Sequence, residues 1–461
     1  MIASKPNSLA SALRAAVQDD PVLVGEQVSP YLTDATEAQA LSGTAEAVVL
    51  PSSTEAVAAA MTWCYEHGVP IVPRGGGTGY AGGCVPDGGV VLATDRLRAI
   101  RSFEPLLWRA ELEAGIITRD LQRLARENGL YYPVDPGAAE QSQLGGNIAT
   151  NAGGPHAFKY GVTGAWVMGL EAVIPPGEPI RVGGPIRKDV AGYDLRSLLV
   201  GSEGTLGVIT SAHFRLIPAV ERRLPVVAFY EELSAGCRAV TAAMASGIVP
   251  AAIEYLDAPV LQACGASFPE RLPDRTELVV IAEADGSAAE AELGQAQLQE
   301  AMAPGALELH VPRSDRETAA LWRWREGVGI AVDGLKGGKM SEDIAVPLDR
   351  LQEAIEGTVE IGTRHGVEAG SWGHAGDGNL HSTFMFDRCD PDQLGRAHAA
   401  AEDLFELATE LGGTISGEHG IGVVKAGQLR RQWEQPAIEL HRRTRELFDP
   451  AGLMNPGKKE P

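Results

Sequence analysis

Val72-Pro73-Arg74-Gly75-Gly76-Gly77-Thr78-Gly79-Tyr80-Ala81-Gly82-Gly83 follows the apolar run Gly68-Val69-Pro70-Ile71-Val72. The apolar run reads as a strand, and the glycines after it as a loop with little side-chain bulk. Such a loop exposes successive backbone N–H groups, and concave nests of this kind bind pyrophosphate oxygens. The spacing is wrong for the dinucleotide fingerprint that opens a helix after a strand. Pro73 and the crowded glycines also argue against a helix starting there. Upstream, Ala47-Val48-Val49-Leu50 reads as a strand and residues 54 to 67 as a helix. A strand, helix, strand succession implies α/β organisation up to about residue 218. Residues 8 to 19 read as an amphipathic helix, with Leu9, Leu13 and Val17 at helical spacing.

Two further segments share the character of the first. Asp135-Pro136-Gly137 leads through Ser142-Gln143-Leu144-Gly145-Gly146-Asn147-Ile148-Ala149-Thr150-Asn151-Ala152-Gly153-Gly154, which offers small donors and almost no bulk to a large flat ligand. Leu199-Val200-Gly201-Ser202-Glu203-Gly204-Thr205-Leu206-Gly207-Val208-Ile209-Thr210 precedes an alternating strand, His213 to Ile217. Any one of these segments reads equally as a turn. Three in the first 210 residues favour a cofactor cradle.

A second kind of chemistry sits far downstream, in His374-Ala-Gly-Asp-Gly-Asn-Leu-His381 and Ser416-Gly-Glu418-His419-Gly-Ile-Gly422. Imidazole nitrogens and carboxylate oxygens suit zinc and other first-row divalent ions, and the glycines let separate segments converge. His374, His381 and Glu418 are therefore the expected ligands of a divalent metal, with zinc and manganese as candidates and the ion's identity left open by the residues alone. His419 remains as a general base, with an ordinary pKa suited to proton abstraction near neutrality.

Together these motifs resemble a known family. Arg74 to Gly79, Gly145 to Gly154, Gly192-Tyr193-Asp194-Leu195 and Gly201 to Gly207 look like the FAD-binding domain of the vanillyl-alcohol oxidase superfamily. The two histidine motifs and Leu453-Met454-Asn455-Pro456-Gly457-Lys458 are similar to the C-terminal FAD-linked oxidase domain. The combination resembles the flavoprotein D-2-hydroxy-acid dehydrogenases. That resemblance implies an α+β protein with three parts. Residues 1–220 would form a two-subdomain FAD-binding domain of the PCMH type, with its core at about 40–218. Residues 221–435 would form a substrate- and metal-binding cap, and 436–461 a segment returning to the flavin.

The resemblance also implies roles. Pro73, Arg74, Gly75, Gly76, Gly77, Thr78, Gly79 and Gly83 would wrap the FAD pyrophosphate. Pro136, Gly146, Asn147, Thr150, Gly153 and Gly154 would lie along the ribityl chain and flavin. Glu203, Gly204, Gly207 and Ile209 would hold the adenosine side or the flavin edge, with Asn455 at the isoalloxazine. Thr78, Gly79 and Tyr80 stand where relatives with covalent flavin carry a His or Cys, so FAD is expected to be noncovalent. Arg325, in Trp322-Arg323-Trp324-Arg325-Glu326, would grip the substrate carboxylate. Lys339 and Thr383 are further substrate-contact candidates. Ser341 and Thr383 depart from hydroxyglutarate-type relatives, which tilts the substrate toward glycolate or D-lactate. The implied reaction passes the Cα hydride to flavin N5, with His419 as base. Two other readings stand beside it: a catalytically idle FAD-binding subunit of a larger complex, and an oxygen-using oxidase of another alcohol.

Composition bounds the partners. The 461 residues exceed one ordinary core. A net charge of −22 disfavours nucleic acid. Cys64, Cys84, Cys237, Cys264 and Cys389 show neither a disulfide framework nor an iron-sulfur spacing. Electrons must then leave to a quinone, an electron-transfer flavoprotein or an iron-sulfur partner subunit. No apolar stretch approaches a membrane span, and the N-terminus lacks a signal-like apolar region. The expected location is cytoplasmic, with peripheral membrane attachment and homodimerisation left open. A composition shift after Pro218 makes Arg222-Arg223 to Pro225 the expected linker. Beyond it, helices over 288–302 and 395–411 alternate with short strands such as 277–282, suggesting an antiparallel sheet covered by helices.

Overall fold

The computed structural model describes residues 6–36 and 41–461. It is a mixed helix and sheet protein built as two units. One comprises the chain up to Gly153 with Val162–Ala219 and Glu418–Pro461, the other Gly154–Gly161 with Val220–Gly417. Glu418–Pro461 is thus part of the first unit, and a short arm, Gly154–Gly161, leaves the first half of the sequence to join the second unit.

In the first unit, strands Val22–Leu23, Ala47–Val49, Val90–Ala93 and Ile71–Arg74 lie side by side in that order, and the last three are parallel. Helices Pro6–Val17 and Thr54–His67 cover them, and Leu9, Leu13 and Val17 share one apolar core with Val57, Met61 and Cys64. The second helix starts where the Ser53 hydroxyl accepts from the Ala56 amide, and it stops at Gly68, whose φ of 66° suits glycine. The exposed side of Ile71–Arg74 is closed by the C-terminal segment: the Ile71 amide donates to Leu453 O at 2.8 Å and the Asn455 amide to Ile71 O at 2.7 Å. A five-stranded antiparallel sheet follows, in the order Ile100–Glu104, Arg109–Glu113, Val208–Arg215, Val167–Ile174, Glu178–Gly183.

The second unit is a seven-stranded antiparallel sheet in the order Ala306–His310, Arg222–Tyr230, Leu278–Gly286, Ala252–Asp257, Glu368–His374, Asn379–Asp387, Gly337–Ala345. Helices Leu233–Met244, Ala288–Met302 and Leu351–His365 pack on it, bringing Gly236 against Leu278, Gly294 against Ala284 and Gly362 against Ala369. Residues alternate faces along a strand, so Val227, Leu256, Ile281, Trp372 and Met385 point the other way. There they meet Leu321, Trp324, Val328 and Val332. Register puts Glu254, Glu283, His374 and His381 on that same second face, beyond its apolar part.

The expected linker at Arg222–Pro225 is instead the start of a strand. Arg222–Tyr230 pairs along its whole length with Leu278–Gly286, with Pro225 opposite Glu283. On its other side pairing begins only at Val227, and the Pro225 carbonyl accepts from Gln295 Nε2 at 3.1 Å. A strand tolerates proline where the missing N–H faces an open side, so the residue that suggested a break marks an unpaired edge. Among the described residues no helix is long and apolar enough to cross a membrane.

Candidate active site

The first unit holds a cavity lined by Pro73, Arg74, Gly75, Gly76, Gly77, Thr78, Gly79, Gly83, Pro136, Gly146, Asn147, Thr150, Gly153, Glu203, Gly204, Gly207 and Ile209. Its walls are backbone pressed on backbone. A Cβ at Gly76 would sit 2.3 Å from Gln141 O, and one at Gly75 3.3 Å from Gly146 Cα, so neither loop admits a side chain where they meet. At Gly79, Gly83 and Gly137 a Cβ would meet nothing within 4 Å, which leaves open space along the loops. Bare amides beside open space are what a dinucleotide cofactor requires, and the residues fit FAD. Asn147 Nδ2 donates to Thr118 Oγ1 at 2.6 Å, and Thr150 Oγ1 to Gly146 O at 3.1 Å.

Several predicted residues sit differently from a simple ligand contact. The Arg74 guanidinium donates to Thr33 O at 2.7 Å and Pro30 O at 3.2 Å, so it ties the preceding segment to the loop. Gly77, at φ 68°, makes room for it, since a Cβ there would lie 2.1 Å from Arg74 Nη2. Asn455 does not line the cavity. It is buried, and its Nδ2 braces Gly83 O at 2.9 Å and Glu203 O at 2.8 Å. Glu203, at φ 53°, accepts from the amides of Ile421 (3.0 Å) and Gly422 (2.6 Å) and from Lys459 Nζ (2.9 Å). Its carboxylate therefore fixes the turn that follows Glu418 and His419, and both of these residues line the cavity. The Tyr80 ring lies 4.8 Å from that of His419. Sequence reasoning assigned Tyr80 no role beyond marking noncovalent flavin, and only its place in the glycine loop could have signalled this contact.

In the second unit, His374 ends strand Glu368–His374, His381 lies in Asn379–Asp387, and a short turn with Gly378 at φ 67° joins them. The hairpin places their rings 5.2 Å apart and nearly perpendicular. His374 is directly opposite Glu254 on the neighbouring strand, and its Nδ1 lies 2.7 Å from Glu254 Oε1. The other oxygen, Oε2, is 2.5 Å from Arg325 Nη2. That close ion pair is poorly aligned, and Arg325 Nε and Nη2 are buried without a hydrogen-bond partner. Sequence reasoning missed Glu254; the available signal was a lone carboxylate inside the apolar run Ala252-Ile253-Glu254-Tyr255-Leu256, which is buried along its whole length.

The other candidates lie along this sheet. Lys339 Nζ lies 5.4 Å from the centre of the Trp372 ring, and burial lowers its pKa, partly opposed by Asp333. Thr383 is fully buried, with Oγ1 2.7 Å from Ser341 Oγ and 3.2 Å from His381 O. Gly417 donates to Asp343 O at 2.8 Å; Asp343 itself faces His381 in register. Two imidazoles and a carboxylate are a donor set that suits zinc or manganese. Gly154, outside the cavity wall, opens the arm in which His156 Nε2 meets Glu283 Oε1 at 2.9 Å and Tyr160 donates to Asp285 at 2.6 Å. Trp322 Nε1, one turn before Arg325, donates to the other Glu283 oxygen at 2.7 Å. Burial raises the Glu283 pKa, but these bonds outweigh it and hold the carboxyl below its ordinary value.

Residues 45–183 match the FAD binding domain family, and residues 220–459 match the C-terminal domain of FAD linked oxidases. The glycolate oxidase subunit GlcD of Bacillus subtilis is 38% identical, over 90% of this chain and 88% of its own length. A D-lactate dehydrogenase of Anaerostipes hadrus is 31% identical, over 95% and 94%. The solved structure of p-cresol methylhydroxylase superposes with a TM-score of 0.80 at 16% identity, covering 98% of this chain and 96% of that one.

Proposed function

Because the chain belongs to the FAD-linked oxidase family and is an FAD-dependent oxidoreductase of PCMH-type fold, we propose that it oxidises a D-2-hydroxy acid, glycolate or D-lactate, to the 2-oxo acid. The observation that carries this reading is Arg325: a buried residue, 7% exposed, with two guanidinium nitrogens lacking hydrogen-bond partners, linked to His374 through the Glu254 carboxylate that both approach. Glu254 already supplies a counter-charge to Nη2 but leaves the Nε and Nη2 hydrogens without an aligned acceptor, a deficit that a substrate carboxylate would fill, and a 2-hydroxy acid carries its carboxylate on the carbon whose C–H reacts. The relatives' names, glycolate oxidase subunit and D-lactate dehydrogenase, point to the same substrate class.

When bound, noncovalent FAD supplies the hydride acceptor, and a divalent ion held by His374, His381 and Glu418 supplies Lewis-acid stabilisation of the substrate oxygen. The chain's own residues do the rest. Arg325 binds the substrate carboxylate and so orients Cα. His419 takes the hydroxyl proton on an imidazole nitrogen, with Tyr80 against its ring and Glu203 holding the turn behind it. Lys339 adds positive charge at the carboxylate end, and Thr383 shapes the floor beside His381. Electrons then pass to a quinone, an electron-transfer flavoprotein or an iron-sulfur partner.

Anaerobic mixing of the FAD-loaded protein with a panel of D- and L-2-hydroxy acids, before and after chelation, tests the reading. Bleaching of the flavin band by glycolate or D-lactate, lost on chelation and restored by zinc or manganese, is the expected result. A metal-replete protein whose flavin no hydroxy acid reduces would overturn it.

A further inference from the structure

Glu254 is the least exposed of the ionisable groups beside His374, at 0%. It lies mid-sheet, opposite His374 on one neighbouring strand and Ile281 on the other. Its two oxygens go to two different partners, His374 Nδ1 at 2.7 Å and Arg325 Nη2 at 2.5 Å. A carboxylate cannot donate when ionised, so the His374 contact requires the proton on Nδ1. Nε2 then carries the lone pair. A histidine that ligates a metal through one nitrogen generally donates its other N–H to such an acceptor, which fixes the tautomer and raises ligand basicity.

We propose that Glu254 is a positioning residue that serves both halves of the site at once. It locks His374 in the tautomer whose Nε2 can ligate, and it holds the Arg325 guanidinium that receives the substrate carboxylate. The inference rests on the functional reading above, since it takes His374 as a ligand and Arg325 as the carboxylate clamp. Because Glu254 stands on a strand and Arg325 on a helix, Asp315–Glu326, the shared carboxylate gives ligand and clamp a common origin. Neither can shift without moving the other's anchor.

The test uses the FAD-loaded protein and zinc alone. Glu254→Gln keeps the shape but offers Nδ1 an amide that can donate, favouring the wrong tautomer. Zinc affinity by competition with a chelator is expected to fall about 10- to 100-fold, the range for lost outer-sphere partners of metal-ligating histidines, while the flavin spectrum stays unchanged. Glu254→Asp, which keeps the charge, should recover part of that loss. Equal zinc affinity for wild type and Glu254→Gln would overturn the inference and leave the functional reading intact. A wild type that binds no zinc would overturn the metal assignment itself.

Should Glu254→Gln fail to fold, the wild type decides the matter. In zinc-stripped protein with ¹⁵N-labelled histidine, the His374 signal, assigned by its loss in His374→Ala, is expected to carry its proton on Nδ1 only. Any proton on Nε2 at mildly alkaline pH would overturn the tautomer lock.

Discussion

The flavin cradle and the histidine face are built from opposite materials. In the cradle the loops meet main chain to main chain, at residues with no side chain at all, and the side chains of Arg74, Glu203 and Asn455 brace them. Gly76 lies against Gln141 O, and Gly422 lies so near Ala81 O that a Cβ would come within 1.8 Å of it. On the histidine face the main chain is an ordinary antiparallel ladder, and all chemical character comes from side chains at alternate positions of adjacent strands. A cradle fails when something is added to it; a face fails when something is taken away.

His419 belongs to the cradle yet acts by its side chain, so its removal separates holding the cofactor from using it. His419→Ala is expected to reduce turnover about 10²- to 10⁴-fold, the usual worth of a general base, with FAD still bound. Dye-coupled turnover and the flavin-to-protein absorbance ratio check the two halves of that statement. Near-normal turnover would remove His419 from the mechanism.

Asp257, on the same strand as Glu254, sharpens the contrast from the other side. Burial pushes its carboxyl up to about 7, against hydrogen bonds from Val260 and Ser371 that pull it down. With the folded pKa above the unfolded one, the folded chain binds more protons between about pH 4 and pH 7. This group's contribution to stability is therefore complete below the ordinary carboxylate range and is lost as pH rises through 7. Asp257→Asn should flatten that decline, by on the order of 3 kcal/mol across the window. Chemical denaturation of both proteins at acid and neutral pH measures it, and parallel pH profiles would refute it.

The smallest effect expected is in the cradle itself. Gly76→Ala adds one methyl where Gln141 O allows none, at a cost of about 1 to 3 kcal/mol for overpacking. The loss should appear as weaker FAD retention on gel filtration, with the second unit's tryptophan fluorescence unaltered. Full retention of FAD would show that the loop can yield.

The same contrast explains what could be read without coordinates. A glycine nest is a local statement: Arg74 to Gly79 announces bare backbone whatever surrounds it, and the strand before it and helix 54–67 follow from spacing alone. His374, His381, Glu418 and His419 stood out as residue types in glycine-rich segments; the first two proved to lie on strands. Glu254 was not, because its meaning comes from standing opposite His374 across a strand pairing between residues 120 positions apart. Arg74 was legible as part of the loop but not in its task, since Pro30 and Thr33, whose carbonyls it holds, lie more than 40 residues earlier. Pro225 misled for a related reason: whether a proline breaks a strand or edges it depends on which side its neighbour occupies.

The brace at Asn455 bears on how the protein is made. Ile71 completes its edge with Leu453 and Asn455, and Gly83 and Glu203 are held by the Asn455 amide. A ribosome finishes the glycine loops early and these partners hundreds of residues later. The whole of Val220–Gly417 must emerge in between. Domains usually mature in order of synthesis, but here the first unit must wait for the second. FAD capture should therefore coincide with chain release, and nascent chains stalled before residue 418 should leave the ribosome colourless.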